Sequence, residues 1–271
     1  MNDIDLTEAT AKGGDWDYGG KGWEPIGSNG RYSGDNPFTG IFDGNGFEIK
    51  GLRMSLDSKP SGTGDAYAGL FSKNQGTIKN LNVSGDISGT YGTYTGFIAG
   101  YNDNGSIEGC TVSGSESGSH SRAGGITGCN NNGNIVNCLN KSDISNSSYC
   151  AGIAAGSDNG TISGCVNAGK IKGIYASGIV ELGSAAIRDC YNTGKVSSTN
   201  WNRIAGIAMS ASAIENCYNI GSITNGYAIT QSTNSQNCYY LNETGWGSAG
   251  AKALTEFQMR QQYMYLSLIH I

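Results

Sequence analysis

Proline is nearly absent, with 3 residues in 271, and charged side chains make up only 14% of the chain. The 17 basic and 22 acidic residues leave a net charge of −5, with no Lys or Arg run. A nucleic-acid reader needs a basic stripe, and this chain has none. No apolar run is long enough to form a membrane span in this segment. Histidine occurs twice. No H-E-x-x-H, G-x-S-x-G or phosphate-loop motif is present, so no recognisable catalytic constellation is in sight and the segment reads as non-enzymatic. With so little proline, the glycine content cannot be that of collagen or a Pro-rich linker.

Glycine is what the chain has in excess, at 44 residues. Glycine with little proline suits many short strands joined by turns that need positive φ. The stretch Ala151–Gly173, AGIAAGSDNGTISGCVNAGKIKG, recurs along the chain. Copies start at Gly69, Gly96, Gly125, Gly152, Gly178 and Gly206, with a degenerate one at Ala228, spaced 27, 29, 27, 26, 28 and 22 residues apart. Self-similarity at that period is the signature of a solenoid. The expected fold is all-β: a right-handed parallel β-helix of about six to seven coils with three short strands per coil, an N-terminal cap and a short C-terminal helix. In the copy at Gly152, Gly152-Ile153-Ala154 is the expected first strand, Ile162 and Cys165 face inward from the second, and Ile171 anchors the third. Ile78, Ile107, Ile135, Ile162, Ile187 and Ile214 form one expected interior ladder; Ile87, Ile144, Ile171, Val196 and Ile223 form another.

Of eight cysteines, Cys110, Cys138, Cys165, Cys190, Cys217 and Cys238 hold one slot of the repeat, and Leu81 fills it in the first copy. Exchange of Leu and Cys implies a buried apolar slot, hence a stack of thiols. A metal site lacks both C-x-x-C spacing and histidines. Rungs about 4.8 Å apart leave disulfides geometrically open, and Cys129 and Cys150, off the register, are the pair to suspect.

Residues 1–66 read as entry strands and a capping region rather than a repeat, 67–245 as the repeats, and 246–265 as a C-terminal cap or linker helix. Asn2–Leu6 alternates as a half-buried strand does, Gly13–Gly22 is a loop, and Asp43-Gly44-Asn45-Gly46 is a tight turn between two apolar strands. Thr255 followed by Gln258 has capping-box spacing, with Leu254, Phe257, Met264 and Tyr265 as the apolar face of the helix. Residues 266–271, LSLIHI, resemble the translation of a sequencing-library adapter, which would remove His270 from any chemistry. Both ends are expected to be those of a fragment of a longer chain.

Asn2–Leu6, Trp23-x-Pro25-Ile26-Gly27, Phe42–Gly46, Gly69-Leu70-Phe71 and Gly76–Leu81, in that order, resemble bacterial GLUG-repeat proteins. The likeness runs to about Gln262, with an insertion at Gly13–Gly22 and degenerate later copies such as Leu182–Ala186. It implies a surface or secreted protein, adhesin-like or part of an IgA-cleaving metallopeptidase, and an extracellular or cell-surface location. The metallopeptidase chemistry would reside outside this segment.

Candidate ligand sites are few. Asp103-Asn104-Gly105, Asn131-Asn132-Gly133 and Asp158-Asn159-Gly160 stack as an oxygen ladder that either binds calcium or simply turns the chain; no other cofactor is suggested. Tyr191, Tyr218 and Tyr239 each follow a ladder cysteine and should face outward, either as a sugar-stacking row or as cross-strand packing. Lys170, Lys195, Arg188 and Asp189 invite comparison with polysaccharide lyases but read as solvated corners. His120, in an expected Ser/Gly loop at Gly114–Ser121, reads as a surface histidine. The expected function is a rigid, monomeric, non-catalytic structural or adhesive module. Loops Ser113–Arg122, Ser142–Tyr149 and Ser197–Arg203 would offer binding surface to host glycoprotein, polysaccharide or another surface protein. The alternatives are a carbohydrate-active β-helix enzyme and a substrate-presenting region of an IgA-type peptidase.

Overall fold

The computed structural model describes residues 2–28, 36–57, 66–91, 94–146, 148–198, 203–231 and 235–261. The expectations for Met264, Tyr265, the adapter-like 266–271 and His270 lie outside them. The fold is an all-β parallel solenoid of about six turns with one short C-terminal helix. Its strands build four sheets, of fourteen, eight, six and five strands. One coil shows the path. Tyr94–Thr95 lies in the six-stranded sheet, Ala99–Asp103 in the five-stranded, Ser106–Glu108 in the eight-stranded and Thr111–Gly118 in the fourteen-stranded. Arg122–Gly124 then re-enters the six-stranded sheet beside Tyr94–Thr95.

Four walls replace the expected three because the Gly-Ile pair that opens each copy is not a strand. Gly152 and Ile153 bend the chain between strands Tyr149–Ala151 and Ala154–Asp158. A Cβ at Gly125, Gly152 or Gly178 would overlap the carbonyl oxygen of the corresponding glycine in the next coil. That close approach is why the copies begin with glycine. The residue behind it, from Leu70 through Ile126, Ile153, Ile179, Ile207 and Ile229, is buried at every coil.

Two other corners need left-handed backbone. The residue before each Cys-slot position (Asn80, Gly109, Asn137, Gly164, Asp189, Asn216, Asn237) has φ between +51° and +62°. Only Gly, Asn and Asp appear there, as the steric cost of a Cβ in this region predicts. Asn104, Asn132 and Asn159 turn the second corner in the same way.

The core is a set of in-register columns. Ile78, Ile107, Ile135, Ile162, Ile187 and Ile214 are successive Cα partners in the eight-stranded sheet, each fully buried. Each contributes roughly 1.5–3 kcal/mol by burial.

The two ends depart from expectation. The N-terminal region is itself a coil: Ile41–Asp43 pairs with Thr77–Lys79 and Glu48–Leu56 with Asn82–Gly89. Asp43–Gly46 is therefore a solenoid corner joining two walls, as its flanking strands pair with the next coil and not with each other. Ile4–Asp5 pairs with Ile49–Lys50, and Leu6 is buried. At the other end Ala251–Leu254 is a strand against Cys238–Leu241, and a helix begins at 256. The capping box forms: Thr255 N–H donates to Gln258 Oε1 at 3.0 Å, and Gln258 N–H donates to Thr255 Oγ1 at 3.3 Å. Phe257, expected on the apolar face, is 69% exposed; Met259 takes the buried position. Among the described residues no helix is long and apolar enough to cross a membrane.

Candidate functional site

The cysteine column is structural in its contacts. All eight cysteines are buried free thiols. Each ladder thiol faces the carbonyl oxygen of the ladder isoleucine one coil back, for example Cys165 Sγ to Ile135 O at 3.5 Å and Cys190 Sγ to Ile162 O at 3.6 Å. Burial pushes the Cys138, Cys190 and Cys150 thiols well above their ordinary range, away from thiolate chemistry. Cys129 and Cys150, the suspected pair, have separate surroundings. Arg122 Nη1 lies 3.6 Å from Cys129 Sγ, whereas Cys150 Sγ lies 3.5 Å from Tyr175 O.

Tyr191 and Tyr218 stack on each other, ring centroids 4.7 Å apart and 5° from parallel, with Tyr239 in register after them. Their faces are largely spent on neighbours, so the cross-strand alternative describes them better than a sugar platform. Asp103, Asn131 and Asp158 are in register, yet Asp103 accepts from Lys73 at 2.8 Å, Gln75 at 2.8 Å and Asn131 at 3.1 Å. The oxygen ladder is already served by nitrogen donors. Arg188 pairs with Glu215 and Lys170 with Asp143 across coils, while Asp189 turns its corner and accepts from Asn216. These groups hold coils together on separate rungs and do not converge.

Two expected loops are in part walls. Thr111–Gly118 and Asp143–Asn146 are strands of the fourteen-stranded sheet, so the 113–118 part of Ser113–Arg122 and the 143–146 part of Ser142–Tyr149 are wall and not loop. In Ser197–Arg203, Ser197 and Ser198 end a strand and 199–202 lie outside the described residues. His120 is not a surface group either: it is fully buried. Asn146 clamps its backbone at both N–H and C=O, Nδ1 donates to Tyr91 O at 3.0 Å, and Nε2 lies 3.2 Å from Glu116 Oε1. Glu116 occupies the rung between Ile87 and Ile144, accepts from Thr95 Oγ1 at 3.2 Å, and keeps Oε2 without a partner among the described residues. Burial raises its carboxyl to about 8 and lowers the imidazole, so both favour their neutral forms. In the sequence the sign was a gap at 116 in an otherwise apolar ladder.

Asparagine ladders were also missed. Asn140, Asn167, Asn192 and Asn219 are fully buried; the Nδ2 of each of the first three donates to the next Oδ1 at 2.7 Å, and that of Asn219 to Thr244 Oγ1 at 3.2 Å. Asn74, Asn102 and Asn130 repeat this on the five-stranded sheet. Asparagine two residues after each of Cys138, Cys165, Cys190 and Cys217 was the available signal.

The outer face of the six-stranded sheet gathers more chemistry. Successive coils present Tyr67, Tyr94, Arg122, Tyr149, Tyr175 and Arg203. Tyr67 stacks on Tyr94 at 5.6 Å and Tyr149 on Tyr175 at 4.5 Å. The Arg122 guanidinium lies 5.8 Å from the Tyr94 ring centre and that of Arg203 4.8 Å from Tyr175. Glu181, on the adjacent five-stranded sheet, is 2% exposed with Oε2 unpartnered among the described residues. Burial raises its carboxyl to about 7 against the pull of Arg203 and Arg122. Elsewhere a shallow cleft of about 480 Å³ is lined by Asp15, Trp16, Asp17, Tyr18, Gly19, Trp23 and Glu24. Asp17 there is committed to holding the loop, accepting from Gly13 N–H and Gly22 N–H.

No family model matches the chain. A protein of Evansella cellulosilytica named "Putative Gly-rich membrane protein" is 36% identical over 116 residues, which is 40% of this chain and 12% of that protein. The chain thus spans a small part of that relative's length. Among solved structures, one titled as a "putative immunoglobulin A1 protease" from Bacteroides ovatus matches with a TM-score of 0.52 and 20% identity, covering 94% of this chain and 71% of that one. At that identity the likeness shows the fold, a β-solenoid.

Proposed function

We propose that this chain is a non-catalytic spacer and adhesive module of a larger bacterial surface or secreted protein. The observation that carries the reading is the parallel pairing of coil on coil among the described residues between Ile41 and Leu254, in register apart from one shift between Ile49 and Leu52, which makes each coil a template for the next. Such a stack resists bending and displays its outer faces at fixed intervals. The resemblance to GLUG repeats, a relative named as a Gly-rich membrane protein and a fold shared with a protein titled as an IgA1 protease all favour an extracellular setting. Outward carboxylates support a binding role over a lyase or hydrolase one, since Asp103, Asp143 and Glu215 are each paired to a cation on a neighbouring coil. A lyase would need such groups to converge in a cleft.

The test is a binding and turnover screen of the chain against polysaccharides and mucin-type glycoproteins. Retention of at least one of them with its chain length unchanged is expected. Depolymerisation by this segment alone would establish the carbohydrate-active alternative and overturn the proposal.

A further inference from the structure

We propose that the outer face of the six-stranded sheet is a binding strip for a linear acidic polysaccharide, with Arg122 and Arg203 as its two anion-holding positions. This deepens the adhesive reading and rests on it.

The strip has a three-coil rhythm: Tyr67, Tyr94, Arg122, then Tyr149, Tyr175, Arg203. Each triplet is a stacked tyrosine pair closed by a guanidinium over the second ring. A guanidinium laid over a ring is held in place while its in-plane N–H groups stay free for a bidentate acceptor. Rungs are about 4.8 Å apart, so three coils separate the arginines by about 14 Å. Two fixed cations at that distance suit a polymer carrying repeated carboxylates or sulfates better than a single sugar.

The use of the other arginines sharpens the assignment. Arg53, Arg188 and Arg260 each face a carboxylate. Arg122 and Arg203 form no ion pair with a described residue; the Arg122 side chain has the weak contact to Cys129 Sγ and the ring of Tyr94, and Arg203 the ring of Tyr175. Among the described arginines of this chain of net charge −5, the two without an ion pair share one column three rungs apart.

Glu181 does not serve as a surface counter-ion to them. It is buried within the electrostatic reach of both arginines, and its Oε2 lacks a donor. Burial raises its carboxyl to about 7 and so favours the neutral form, which leaves the two guanidinium charges available at the surface. The ring stacking decides between acidic and neutral glycans. Tyr149 and Tyr175 already cover each other's faces, so stacking on a neutral sugar is largely forfeited. What remains on offer is charge and hydrogen bonding.

The experiment measures binding of polygalacturonate, dextran and poly-glutamate to the chain by calorimetry at low and physiological salt. Comparison is with the Arg122→Gln/Arg203→Gln double variant and a Lys172→Gln/Lys195→Gln control that removes the same charge from exposed positions on another wall. Circular dichroism melts confirm that all are folded. Polygalacturonate is expected to bind, dextran not, with affinity falling roughly tenfold per arginine removed and little changed in the lysine control. Equal losses in both double variants, or poly-glutamate binding as tightly as polygalacturonate, would reduce the strip to general charge attraction and overturn it. Glycan binding indifferent to both arginines overturns the strip and leaves the adhesive reading standing. Retention of no glycan or glycoprotein overturns both.

Discussion

Two interior columns run side by side and differ by one rung. In the eight-stranded sheet isoleucine follows isoleucine from Ile78 to Ile214. In the fourteen-stranded sheet the column Met54, Ile87, Glu116, Ile144, Ile171, Val196, Ile223 carries a carboxyl at its third position. The uniform column needs only apolar area. The interrupted one needs Thr95 from the six-stranded sheet and His120 from the following turn before it closes. A solenoid core therefore accepts a polar rung where a neighbouring wall supplies partners, and the cost shows in the one carboxyl oxygen left over.

The most severe way to break the comparison is to put a carboxylate where no partner exists. Ile162→Asp should cost at least about 4 kcal/mol, combining lost burial with an unpaired buried acid, and urea melts should show it unfolded or nearly so. Conversely, Glu116→Ile completes the second column and should gain about 2–4 kcal/mol at neutral pH. The pH dependence identifies the cause. Glu116 has a folded-state value of about 8 against 4.5 unfolded, so the folded state binds the extra proton and stability falls as pH rises through that window. Glu181 adds to the fall up to about 7. His120 acts oppositely: its lowered value favours folding above 6.5, a contribution lost as the solution is acidified. Glu116→Gln should flatten the decline between about pH 5 and pH 8, and an unchanged slope would mean the carboxyl is not buried.

Asn167→Ala comes next, at about 2–3 kcal/mol, because it strands the Asn140 donor and the Asn192 acceptor side together in a dry ladder. Thermal melts should show the same loss for Asn192→Ala. At the small end, Asp158→Ala lies on a solvent-facing corner and should stay within about 0.5 kcal/mol by the same melts. If it matched Ile162→Asp, the inside–outside assignment of the whole repeat would fall.

The repeat made the coil, the inward isoleucines and the cysteine slot legible, because burial imposes the same side chain on every copy. The Gly-Ile bend reads as a strand in the sequence, since a short apolar pair looks alike in a strand and at a buried corner. His120 and Glu116 were illegible for a different reason. Serine and glycine around them signal a loop by composition, yet in this sheet small residues mark close coil-to-coil contact: a Cβ at Gly114 or Gly118 would overlap the backbone of the preceding coil. The Tyr–Tyr–Arg rhythm spans three copies, so within any one copy it shows only as a variable position.

In-register pairing also fixes how such a chain can change length. A deletion within a wall shifts every partner by one and turns a column inside out, whereas removal of one whole copy, such as 152–177, rejoins equivalent corners. The rod then shortens by about 4.8 Å and the two arginines come to stand two rungs apart. Gain or loss of copies is thus a way to retune the interval between surface groups without altering a single core contact type, so that the spacing of the display is inherited in units of one coil.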